Sequence, residues 1–210
     1  MLHPEMHPPS ATQGRSASQP AKARTHKPVR LGLAISCGGA KGLAHVGVIQ
    51  VLEENNIPIA AVSGCSMGAY VGALWCAGYK GHQLVELAEE IQTPKVLHRL
   101  SDPALPPSKG LFWGKKAKAH LRRSIGDITF NKLNRPLYTA TTEIYTNQRI
   151  VCHTGKLIDA VHASCAMPGV IVPVHYQGHR CVDGGVIDPV PIAILKKMDN
   201  IDAVIAISTI

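Results

Sequence analysis

Gly64-Cys65-Ser66-Met67-Gly68 is a G-x-S-x-G, and it lies between an apolar run that ends at Val62-Ser63 and the helical pattern of "MGAYVGALWCAGY". A serine at a sharp strand-to-helix turn can expose its hydroxyl as a nucleophile, provided small neighbours permit the strained backbone. Gly64 and Gly68 supply that smallness. The following helix would point its first N–H groups and positive dipole end toward Ser66. Two other readings compete for the segment: an ordinary buried helix with small side chains, and a membrane span. Gly64, Gly68 and Gly72 have the four-residue spacing of membrane helix contacts, and residues 55–79 carry no charge. However, Asn55, Asn56, Pro58, Ser63 and Ser66 interrupt the segment, and "IPIAAV" is strand-like, so a continuous span is disfavoured.

Upstream, "CGGAKG" joins a strand candidate, 29–36, to a helical pattern beginning at Leu43. A glycine-rich turn there can cradle a dinucleotide pyrophosphate. Against that, Cys37 occupies the first fingerprint position, and no acid closes the second strand to hold a ribose. Gly38 and Gly39 fit better as an oxyanion hole, whose backbone N–H groups must approach a developing negative charge. Since the two glycine turns follow neighbouring strands, they can face one carbonyl.

The serine needs a base, and the best-placed acid is Asp183 in "CVDGGV", followed by Gly184 and Gly185. The last histidine of the chain is His179, so the order Ser, acid, His cannot be completed. His45, His153, His162 and His175 remain candidates in another order, none within a recognisable motif.

Three stretches together, "GLAISCGGAKGLAHVGVIQVLEENNIPIAAVSGCSMGAYVGALWCAGY", "AVHASCAMPGVIVPV" and "VDGGVIDPVPI", resemble the patatin-like phospholipases. The similarity runs from about residue 31 to the end. It is closest to the small bacterial members and to the esterase domain of neuropathy-target-esterase-like proteins. The resemblance implies a Ser–Asp dyad without histidine, with Ser66 as nucleophile, Asp183 as general base, and Gly38 and Gly39 as oxyanion hole. Lys41 and Gly42 would complete the glycine loop, Lys41 standing where the family carries Arg or Lys, while Cys37 replaces a common glycine. It implies hydrolysis of fatty-acyl esters of lipids through an acyl-serine, with no metal or organic cofactor. A lipid-binding or regulatory protein that keeps the fold with little catalysis is the alternative.

The elements around these residues alternate. Strand candidates and helical patterns succeed one another from residue 29, with hairpins at 137–153 and 170–183, a short helix at 191–198 and a buried strand at 202–209. That order predicts an α/β fold, a three-layer α/β/α sandwich around a mixed, largely parallel sheet. Residues 94–113 are proline-rich and read as an irregular lid or surface loop, followed by a basic helix at about 114–125 with Ala117, Leu121 and Ile125 on one face.

Composition bounds the rest. The chain has 210 residues, a length suited to one domain. Its formal charge of +8 is concentrated in two places. Residues 1–30 hold Arg15, Lys22, Arg24, Lys27 and Arg30 against Glu5 alone; residues 109–123 hold six basic residues and no acid. The first 28 residues lack an apolar core for a secretory signal and read as a disordered basic tail, leaving 29–210 as the folded domain. That domain stops after an apolar strand, which raises the expectation of a missing C-terminal piece. The six cysteines show no metal-binding spacing and suit reduced core positions in a cytoplasmic protein. In "SKGLFWGKKAKAHLRR", Phe112 and Trp113 beside Lys115 and Lys116 suit peripheral contact with an anionic lipid surface; a solvated helix face with the rings packed inward is the competing reading. Specific nucleic-acid binding is not expected.

Overall fold

The computed structural model describes residues 28–210, apart from the side chain of Leu97. The expected basic tail therefore lies almost wholly outside the described residues. In chain order the elements are β1 (Leu31–Ile35), a 3₁₀ turn (Gly39–Ala44), α1 (His45–Glu54), β2 (Ile59–Cys65), α2 (Met67–Ala77), α3 (Gly81–Ile91), α4 (Pro94–Leu100), α5 (Lys115–Ile125), β3 (Leu137–Glu143), β4 (Gln148–Cys152), α6 (Leu157–Ser164), β5 (Val174–Tyr176), β6 (His179–Asp183), α7 (Ile192–Lys196) and β7 (Ala203–Ile207).

One seven-stranded sheet runs β5-β6-β3-β2-β1-β7, with β4 also paired to β3. The strands β7, β1, β2 and β3 are mutually parallel, whereas β4, β5 and β6 join by antiparallel pairing. The sheet is the mixed, largely parallel one expected.

Its two faces are covered unequally, and β1 shows why. Leu33 and Ile35 point into the larger core, packed beneath residues such as Val46, Ile49, Leu74, Trp75, Leu84, Leu121 and Leu157 from α1, α2, α3, α5 and α6. The alternate positions are small: Ala34 packs with Ala61 and Leu195, and Leu195 lies against Gly32. Period-2 alternation of large and small side chains thus sets a thick helical layer on one face and only α7 close against the other.

Four expectations need correction. The C-terminal strand, expected to be buried, is β7 at the sheet edge, with every residue half-buried or exposed. Residues 94–100 form α4 rather than irregular chain: Pro94 stops the preceding helix, yet its fixed φ also suits the first position of a new one. In the second hairpin, the strand expected from 170 begins only at Val174, because Pro173 lacks the N–H a ladder needs. In α5, Leu121 is buried but Ala117 is exposed, so the inward stripe is narrower than expected.

Register on β3 positions the site. Ala140 pairs with Cys65 of β2 and with Val151 of β4, while Thr141 pairs with Asp183 of β6 and with Ile150 of β4. Since β4 holds one edge of β3 from Thr139 to Glu143, β2 and β6 must share the other. They meet there end to end, with Cys65 and Asp183 on successive rungs.

Candidate active site

Ser66 leaves β2 with φ 52° and ψ −121°, a strained conformation for a non-glycine residue. Such strain costs on the order of 1–3 kcal/mol and persists only where the surroundings over-determine it. Serine before a helix usually caps it with its hydroxyl; here Ser66 makes no side-chain cap bond to α2, so Oγ is left for other use. The tight turn depends on missing side chains. A Cβ on Gly64 would lie 2.7 Å from the Gly68 carbonyl oxygen, and one on Gly68 would lie 2.5 Å from the carbonyl oxygens of Ile35 and Ser36.

The end of α6 holds both candidate catalytic residues. The Ser66 N–H donates to Ser164 Oγ at 2.9 Å, and that hydroxyl donates to the Ala140 carbonyl at 2.6 Å. Cys165 Sγ donates to the Ser66 carbonyl at 3.2 Å. One residue further on, the Ala166 carbonyl accepts the Asp183 N–H at 2.8 Å. Ser164 stands in no motif of its own. Its one local signal is a serine near the end of an apolar helix, and only the fold reveals its partners.

Asp183 is nearly fully buried, at 5% exposure. Its Oδ1 accepts the Gly185 N–H at 2.8 Å, and the Cys65 thiol reaches the same oxygen at 3.7 Å. Oδ2 is buried with no hydrogen-bond partner. Burial pushes the Asp183 pKa above its ordinary value, while the Ser66 hydroxyl, the Gly185 N–H and the Cys65 thiol act in the opposite direction. Among the described residues, the Ser66 hydroxyl closes no hydrogen bond to Oδ2. Catalytic hydrogen bonds are commonly long before substrate arrives.

Ser66, Asp183, Cys37, Gly38, Gly39 and Gly185 line one open cavity of about 360 Å³, rimmed by Met167, Pro168 and Val186. Among the described residues no histidine lines it. His45 instead lies within 2.9 Å of the Ser36 carbonyl oxygen, His162 bonds the Trp113 carbonyl oxygen, and His153 stacks on Tyr138; His175 is exposed. The cavity's thiol is no rival nucleophile in this setting: burial and the Asp183 charge both push the Cys37 pKa up.

The glycine loop is brought to the elbow by contact with α2, because a Cβ on Gly42 would lie 2.6 Å from Met67 Cβ. Gly39 has φ 54°, and Gly38 passes so close to Thr209 that a Cβ would meet its Oγ1 at 2.3 Å. Thr209 donates from Oγ1 to the Cys37 carbonyl and from its N–H to Ser36 Oγ, holding the loop from the far side. Lys41 is exposed at this turn, its N–H bonded to the Gly38 carbonyl. Gly184 sits where a Cβ would be 2.3 Å from the Ala140 carbonyl oxygen, which lets β6 turn tightly away after Asp183.

Residues 33–196 match the model of the family described as patatin-like phospholipase, and the chain belongs to that family. An uncharacterized NTE family protein of Mycobacterium tuberculosis is 34% identical over 200 residues, covering 95% of this chain and 52% of that protein. The neuropathy target esterase sws of Drosophila grimshawi is 32% identical over 165 residues, which is 77% of this chain and 11% of that protein. The chain thus spans about half the length of the mycobacterial relative. The crystal structure of VipD from Legionella pneumophila shares the fold, with a TM-score of 0.53 at 16% identity over 76% of this chain and 46% of that one.

Proposed function

We propose that this chain is a serine acyl hydrolase that cleaves fatty-acyl esters of lipids through Ser66 and Asp183. One observation carries the reading: an uncapped serine on a strained elbow shares a cavity with a glycine loop and a buried carboxylate whose Oδ2 has no partner. Family membership and the esterase named among its relatives agree with ester chemistry.

In the first half-reaction, Asp183 takes the Ser66 proton as Oγ bonds the acyl carbon. The carbonyl oxygen becomes an oxyanion, met by the N–H groups of Gly38 and Gly39 and by the first, unbonded N–H groups of α2. Collapse breaks the ester C–O bond, and the departing alcohol recovers the proton from Asp183. In the second, Asp183 removes a proton from water as its oxygen attacks the acyl-serine, and Ser66 leaves reprotonated with release of the fatty acid. Each step balances without a metal or organic cofactor.

The apolar rim suits an acyl chain. Met167, Val170, Val186 and Ile187 are substantially exposed around or beside the mouth. Leu111 and Phe112 donate backbone N–H bonds to Gly169 and Val170, bringing the 110–114 segment alongside. Phe112 is half-buried there, while Trp113 is 40% exposed under the Lys115 ammonium, 4.8 Å from its ring centre. We assign Trp113, Lys115 and Lys116, with the Phe112 backbone as anchor, to peripheral contact with a lipid surface. No helix among the described residues is long and apolar enough to cross a membrane.

The test is fluorophosphonate labelling of the purified chain, which requires an activated serine. Labelling that is lost in Ser66→Ala, together with ester hydrolysis, is the expected result. A folded Ser66→Ala variant that still labels or hydrolyses overturns the assignment.

A further inference from the structure

A larger cleft, of about 510 Å³, opens on the helical layer away from the dyad cavity, between α3, α4 and α5. Its α5 wall comes from Lys116, Ala119, His120 and Arg123, positions that share one helical face. Its α4 wall presents His98 and Arg99 above Val96 and Leu100, and α3 contributes Glu90.

The charges of α5 are sorted by direction. Those turned away from the cleft are engaged: Lys115 over the Trp113 ring, Lys118 with Asp159 at 2.6 Å and Arg122 with Asp127 at 3.1 Å. Asp102 is taken up by the N–H groups of Gly114 and Lys116 at the start of α5. The cations facing the cleft differ. Among the described residues, Arg99, Lys116 and Arg123 form no ion pair, and Glu90 is the one acid in the lining. At the back, His120 Nδ1 meets the Tyr70 hydroxyl at 3.2 Å. Converging cations cost repulsion unless an anion offsets it, and two guanidinium groups with an ammonium match the oxygens of a phosphoryl group.

We propose that this cleft is a binding site for a phosphoryl-bearing ligand, a phosphate monoester or diphosphate, held by Arg99, Lys116 and Arg123 with His98 and His120 as further donors. Its volume exceeds what bare phosphate needs, so the ligand carries an organic body or a lipid headgroup. Phosphatidic acid in a bilayer and a free phosphorylated metabolite offer the same group. The proposal is independent of the Ser66 chemistry.

The experiment titrates the whole chain with inorganic pyrophosphate by calorimetry. It also sediments the chain with anionic phosphatidylserine vesicles, with and without phosphatidic acid at equal total negative charge. An Arg99→Ala/Arg123→Ala variant should bind pyrophosphate at least about tenfold more weakly per guanidinium removed. A Lys132→Ala/Lys156→Ala variant, with the same charge removed from exposed positions elsewhere, should bind as the unaltered chain does. Pyrophosphate binding with added sedimentation on phosphatidic acid, both lost in the arginine variant, assigns the site to lipid headgroups. Pyrophosphate binding without added sedimentation assigns it to a free phosphorylated compound. Absence of pyrophosphate binding overturns the proposal, as does equal weakening in the two variants. Ser66→Ala should bind pyrophosphate unchanged, which separates failure here from failure of the hydrolase reading.

Discussion

Around Ser66, one buried carboxylate is the sole formal charge in a lining of glycines, apolar side chains, a thiol and a hydroxyl. Around His120, three long cationic side chains face one acid across an open cleft. The first region takes its geometry from strand ends and backbone turns, fixed by hydrogen bonds from α6 and by contacts too close for a side chain. The second takes its geometry from facing surfaces of helices, and its charged tips make no ion pair. Bond-making chemistry tolerates little positional error, whereas recognition of a polyanion rests on flexible groups that can adjust. The two regions should therefore respond differently to substitution.

Ser66→Ala should give the largest effect, lowering ester hydrolysis by about 10³-fold or more, measured with a short-chain ester. Retention of even a tenth of the activity would erase the contrast between the regions. Asp183→Asn should cost about 10²–10⁴-fold through loss of the proposed general base. It should not destabilise the chain at neutral pH. The folded-state pKa of Asp183 lies above the ordinary carboxylate value of about 3.9. Between those two pH values the folded chain holds the extra proton, so stability falls as pH rises through that window. Removing the charge removes that penalty, and a thermal scan of Asp183→Asn at pH 7 should show a midpoint equal to or above that of the unaltered chain. For the same reason, hydrolysis should fall with acid at a pH above the usual carboxylate range.

Ser164→Ala sharpens the comparison by altering the support alone. It removes the acceptor of the Ser66 N–H and a donor to the Ala140 carbonyl, at a cost of about 1–3 kcal/mol. A midpoint drop of roughly 2–4 °C per kcal/mol should accompany weaker fluorophosphonate labelling. The smallest effect is expected at the surface: Lys115→Glu should weaken sedimentation on anionic vesicles by about 1 kcal/mol per charge altered, with turnover of a soluble ester unchanged.

The elbow, the glycine loop and the Asp-Gly-Gly were legible because each compresses a backbone requirement into a few adjacent residues. The clamp at the end of α6 was not, since Ser164 makes its bonds to Ser66 and Ala140 across the fold. The meeting of β2 and β6 on one edge of β3 was also hidden, because strand order is not written in any single segment. The basic run 109–123 was visible as charge. Which of its cations would be neutralised depended on Asp159 and Asp127 arriving from elsewhere, and α4 was concealed by a proline that both ends and begins a helix.

End-to-end docking of β2 and β6 makes the separation of Ser66 and Asp183 a stepwise quantity. Asp183 and Cys65, the residue before Ser66, hang from neighbouring rungs of β3, so the spacing can change only by whole residues, about 3.3 Å at a time. A slip of one residue would also turn Asp183 to the opposite face of the sheet. Gradual drift in the 116-residue stretch between Ser66 and Asp183 has no purchase on that spacing. Helices and loops there can lengthen or be exchanged, and the pair stays set by the ruler they both lie against.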